Sequence, residues 1–73
     1  MISIFNTYKL YNENTGQVLE EGDWIDNFSY YDKNHKIILQ NIQIININEN
    51  EITIELNEFD QIIINVKDII EWY

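Results

Sequence analysis

Apolar and polar residues alternate with a period of two along almost the whole chain, the pattern of strands that bury one face. Near the start, Ile2, Ile4, Tyr8 and Leu10 share one parity, broken at Asn6, while Ser3, Phe5, Thr7 and Lys9 share the other; this predicts one first strand. Residues 12–16, Asn-Glu-Asn-Thr-Gly, predict a turn in which Gly16 is free to take positive φ. A short return strand over residues 17–20 is cut by Glu21, Gly22 and Asp23. Trp24, Phe28 and Tyr30 then alternate with Ile25, Asn27, Ser29 and Tyr31. Residues 32–36 are polar and suit a hairpin with a loop of three to five residues.

Residues 36–47 break the simple rule. Ile37 and Leu39 have one parity, Ile42 and Ile44 the other, and Ile45 and Ile47 return to the first. A regular strand that buries one face does not change phase, so the segment predicts a long strand that bends or bulges to serve two sheets. The rest is regular: Ile52, Ile54 and Leu56 point inward while Glu51, Thr53 and Glu55 point outward. A turn over residues 57–60 leads to Ile62, Ile64 and Val66, and Lys67-Asp68 fits a single helical turn before Ile69, Ile70, Trp72 and Tyr73. Five or six strands in consecutive hairpins, one of them bent, predict an all-β single domain over residues 1–73: a small antiparallel barrel of SH3-like or Sm-like type. Closure also removes exposed edges, a hazard for a chain with 16 Ile. The alternative is a flatter antiparallel sheet that covers its open side, or the two-faced segment 36–47, by forming a homodimer.

Composition narrows the chemistry. A 73-residue chain buries only about 60% of the surface its unfolded form exposes, so the core must be dense. With no Cys there is no disulfide framework and no thiolate metal site. Thirteen acidic residues against four lysines and no Arg give a formal net charge of −9. That sign disfavours direct binding of nucleic acid, where affinity comes from Lys and Arg displacing counterions, and disfavours anionic membrane surfaces. Ile and Asn, 16 and 11 of them, use A/T-rich codons; so does Lys, which occurs only four times. Base composition therefore does not account for the acidity, and the charge exceeds the roughly 2–8 that keeps a small domain soluble. The first residues lack a basic stretch followed by an apolar core and a small-residue cleavage site, and no apolar run approaches the length of a membrane span. A cytoplasmic protein is expected.

Candidate sites are few. His35, the one imidazole, falls in a polar turn beside Asp32, and Ser3 and Ser29 sit in no nucleophile pattern, so no catalytic residue is expected. Glu20, Glu21, Asp23 and Asp26 place four carboxylates within seven residues, but their spacing matches no calcium loop, and neither a metal nor a cofactor is expected. A second acidic run holds Glu49, Glu51, Glu55, Glu58 and Asp60, the first three of one strand parity. Residues i and i+2 on a strand stand about 6.6 Å apart, the order of successive phosphates on a nucleic-acid strand. Tyr30 and Tyr31 are adjacent and cannot both face the core, so Tyr31 is expected outside, and Tyr11 with it.

These features point to a non-enzymatic acidic binding module whose partner is a basic protein, a nucleic-acid-handling enzyme or complex. The sharpest form is an inhibitor that occupies a groove meant for DNA or RNA. The expected contacts are Glu49, Glu51, Glu55, Glu58 and Asp60, with Glu20, Glu21, Asp23, Asp26 and Tyr31. In size and charge, though in no motif, the chain resembles phage-encoded anti-defence inhibitors, anti-CRISPR proteins among them. The alternative is an Sm-like structural subunit that builds a homo-oligomer through its Ile-rich strand.

Overall fold

The period-two pattern is realised, among the described residues, as eight antiparallel strands in two sheets. The computed structural model describes residues 1–5, 8–57 and 59–73; Asn6 and Thr7, placed above in the first strand, and the candidate contact Glu58 lie outside the described residues. A three-stranded sheet has the order β1-β2-β3, with β1 Ile2–Phe5, β2 Lys9–Asn12 and β3 Gln17–Glu20. A five-stranded sheet has the order β7-β6-β5-β4-β8, with β4 Trp24–Asp32, β5 His35–Ile47, β6 Glu51–Glu55, β7 Gln61–Asn65 and β8 Ile69–Trp72. A 3-10 turn, Val66–Asp68, joins β7 to β8, as expected around Lys67. Asn65 caps it, its side-chain oxygen accepting from the Lys67 N–H at 3.1 Å.

The expected single first strand is instead a hairpin. β1 and β2 pair antiparallel from Ile2↔Asn12 to Phe5↔Lys9, which puts Ile4 opposite Leu10. In one extended strand those two side chains would stand about 20 Å apart. Reversal lets both pack on one core, where Leu10 is completely buried, and sets Phe5 against Tyr11 with ring centres 6.4 Å apart. Tyr11 is thereby half-buried rather than exposed, while Tyr8 is exposed.

The loop between β4 and β5 is shorter than expected. Asp32 pairs with His35, leaving only Lys33 and Asn34, at φ of 49° and 71°. Positive φ at both central residues belongs to the turn whose twist matches the flanking strands. The phase changes of β5 have local causes. Between Leu39 and Ile42 stands Asn41 with φ of 54°, and the register against β6 slips between Ile44 and Asn46, so that Ile45 is a bulge. β4 changes its buried parity at the same level, from Ile25 to Phe28.

The core joins both sheets. Leu10 enters from the small sheet; Ile25, Phe28, Ile42, Ile44, Ile47, Ile52, Ile54, Ile64, Ile69 and Trp72 enter from the large one. Full burial of each such side chain contributes about 1.5–3 kcal/mol. A closed barrel is not found among the described residues. β8 returns to pair with β4, but β7 and β8 share no ladder, and each ends the sheet as an edge. The core is covered by the three-stranded sheet instead, with Ile2, Ile4 and Leu19 packed against it.

Two consequences can be measured. Burial, then the nearby Asp32 carboxylate, pushes the Tyr30 phenol above its usual value of 10.0. The unfolded chain therefore loses this proton first as pH rises, so stability is expected to fall from about pH 10 upward. Tyr30→Phe should flatten that part of a urea-midpoint profile against pH. The second concerns β7, an edge strand with no charged residue and with Ile63 64% exposed. Such an edge templates pairing with another chain. Ile63→Lys is expected to lower concentration-dependent light scattering while leaving the unfolding midpoint nearly unchanged.

Candidate protein-binding surface

On β6, Ile52 and Ile54 are completely buried, so strand alternation turns Glu51, Thr53 and Glu55 to the opposite face. Their neighbours across the ladders are Asn65, Ile63 and Gln61 on β7, and Asn46 and Gln43 on β5. The face thus carries carboxylates, amides and one isoleucine, and no lysine among these partners. Glu51 and Glu55 stand about 13 Å apart along the strand, at 3.3 Å per residue.

Glu49 does not extend this row. It lies in the turn between β5 and β6, where its N–H donates to the Asn48 side chain at 2.8 Å, so only two of the three carboxylates expected on one strand face are there. The phase of a strand ends where the turn begins, and Asn48 takes the chain into that turn. Asp60 lies in the β6–β7 turn, its carboxylate accepting from the Asn57 side-chain amide at 3.0 Å. The Asn57 oxygen in turn accepts from the N–H groups of Phe59 and Asp60, which holds the turn closed.

The earlier cluster is largely occupied with its own loop. Glu20 pairs with Lys9 at 3.2 Å, both side chains well exposed. The Asp23 carboxylate accepts from the Glu20 N–H at 2.8 Å and closes the turn in which Gly22 takes φ of 95°. The Glu21 carboxylate accepts from the Ile47 N–H at 3.0 Å, reaching 26 residues along the chain. Asp26 is exposed and has no ion-pair partner among the described residues.

The structure brings the two acidic runs close together. The loop at Gly22 lies along β5, with the Gly22 N–H donating to the Ile44 carbonyl and the Gln43 side chain donating to the Gly22 carbonyl. β5 also carries β6 on its other edge, so Glu21 and Asp23 flank one side of β5 and Glu51 and Glu55 the other. Trp24, opposite Gln43 and 70% exposed, follows Asp23 on the β4 side of β5. The alternation had grouped Trp24 with Phe28; the parity change of β4 is what turns it outward. Tyr31 is exposed as expected, on the part of the β4–β5 hairpin that extends past the end of β6 and so away from the acidic row.

The remaining candidates stay apart. His35 is exposed beside the hairpin turn, and Ser29 is buried, its hydroxyl donating to the Glu71 carbonyl at 3.4 Å. No group of three or more His, Cys, Asp or Glu is placed to hold a metal ion among the described residues. No helix among the described residues is long and apolar enough to cross a membrane. No protein-family model matches the chain, and no curated protein or solved structure shows significant similarity to it.

Proposed function

We propose that the protein is a non-enzymatic binding module that engages a basic protein through the acidic surface around β5 and β6. The observation that carries this reading is the face of β6, where the ladder partners of Glu51, Thr53 and Glu55 are amides and Ile63, with no lysine among those partners. Carboxylates fixed on a paired strand lose little freedom on binding, and they present a regular row to Lys or Arg. Their charge, together with Glu21 and Asp23 across β5, would steer a basic groove toward this face. In its specific form the module inhibits a nucleic-acid-handling protein by occupying that groove, in the manner of phage anti-defence and anti-CRISPR inhibitors.

The SH3-like or Sm-like reading of the fold belongs with this proposal. It is supported by the sequential pairing of β4, β5, β6 and β7 and by the return of β8 to β4, which leaves one ladder between β7 and β8 to close a barrel. The free edge of β7, with Ile63 exposed, favours the second reading, an Sm-like subunit that assembles with copies of itself.

The decisive experiment uses a basic nucleic-acid-binding protein captured from lysate. The module should displace DNA or RNA from it, and the affinity should fall steeply between low and high salt. A complex indifferent to salt that leaves the nucleic acid bound would overturn the inhibitory reading.

A further inference from the structure

The two sheets share no ladder, and on one side their edges face a common groove. β3 is the edge of the small sheet and β8 an edge of the large one. Val18, Leu19, Trp24, Ile25, Trp72 and Tyr73 line the space between them. The groove continues along β8 beneath the turn that joins β2 to β3. We propose that this groove takes an extended basic peptide segment of a partner protein, added as a strand along β8.

Three observations support the assignment. The first is backbone chemistry. Tyr73 and Asn27 exchange both N–H···O bonds, at 2.8 and 2.9 Å. In antiparallel alternation the preceding residue, Trp72, then turns its own N–H and carbonyl to the other edge, where β8 has no partner strand. The second is the Trp72 side chain. It is 3% exposed, yet its indole N–H has no hydrogen-bond partner among the described residues. Buried donors are nearly always satisfied, so an unpartnered one beside a groove marks where an acceptor is missing. The third is charge. The charged side chains lining the groove are Asp26 and Glu71, and no lysine lines it.

An added strand fits this arrangement. Its main chain would bond the free groups of Trp72. Its alternate side chains would fall on the apolar wall formed by Val18 and Leu19, and the intervening ones would reach Asp26 and Glu71. Val18, Trp24 and Tyr73, all exposed, would then be covered. The inference does not depend on phosphate mimicry, since it uses a different part of the surface.

The test is an NMR titration of the isotope-labelled full chain with an acetylated, amidated peptide that alternates lysine and valine. The amides of Val18, Leu19, Trp72 and Tyr73 and the Trp72 indole proton should shift, and the Trp72 amide should gain exchange protection. The same peptide N-methylated at alternate residues, which cannot form one row of main-chain bonds, should bind about tenfold more weakly, the loss of one to two net hydrogen bonds. Val18→Lys with Tyr73→Lys should weaken binding similarly with an unchanged circular dichroism spectrum. The unmodified comparison stands even if that variant does not fold. Equal binding of the N-methylated peptide would reduce the effect to charge attraction and overturn the proposal. So would shifts confined to Glu51 and Glu55, the absence of binding, or the same groove shifts on concentrating the protein alone, which would assign the groove to a second copy.

Discussion

Phe28→Ala is expected to cost about 3–5 kcal/mol, the usual range for removing a buried phenylalanine ring. Phe28 is 1% exposed at the middle of β4, opposite Leu39 on β5 and Trp72 on β8, with Tyr30 ring-to-ring at 6.2 Å. A chain of this length has a total stability of roughly 4–11 kcal/mol, so the one change removes a large share of it. Urea unfolding should show the midpoint fall with an unchanged slope. Ile38→Ala is the matched comparison: Ile38 lies on the neighbouring ladder position, opposite Ser29, but is 62% exposed. It should change stability by no more than about 0.5 kcal/mol. Equal losses at the two positions would mean that the core is not where the structure puts it.

Neutralising the acidic face is expected to remove binding without harming the fold. Glu51→Gln, Glu55→Gln and Asp60→Asn together delete three of thirteen acidic charges. Where a partner Lys or Arg becomes buried against one of these, each change should weaken binding by about 2–5 kcal/mol; a rim position should mainly alter the association rate and its salt dependence. Displacement of nucleic acid is the readout, and a triple variant that still displaces it at physiological salt would end the mimic reading. The cluster near Gly22 should behave differently, because its carboxylates hold the loop. Glu21→Ala leaves the Ile47 N–H without its acceptor and should lower stability by about 1–3 kcal/mol. Its effect on binding should be smaller than that of the β6 changes.

Most of the strand map follows from local pattern. The turn read at residues 12–16, whose first residue Asn12 closes β2, the return strand β3, the long two-phase strand β5, the outward Glu51 and Glu55, and the 3-10 turn before β8 all come from alternation and turn chemistry, which act over a few residues. Elsewhere the chain permits more than one arrangement, and tertiary contacts chose. Alternation alone reads residues 2–10 as one strand; the need of Ile4 and Leu10 for the same core makes it a hairpin. The β4–β5 loop holds no glycine, and although Asn34 is a residue that tolerates positive φ, nothing local announced it at Lys33.

Trp24 shows the limit most clearly. Parity groups it with Phe28, yet a period of two cannot say which parity is inside once a strand changes phase, and the change in β4 is set beside Asn41 on the neighbouring strand. The division of labour among the acids was likewise decided in three dimensions. Glu21 is drawn to Ile47, 26 residues away, while Glu51 and Glu55 are left facing outward. The groove between β3 and β8 exists because β8 pairs with β4 from 39 to 44 residues away and stops there, leaving two edges opposed. Alternation records which side chains share a face of a strand; which strands meet, and which edges stay open, depends on burying that face in a core too small to be covered by one sheet.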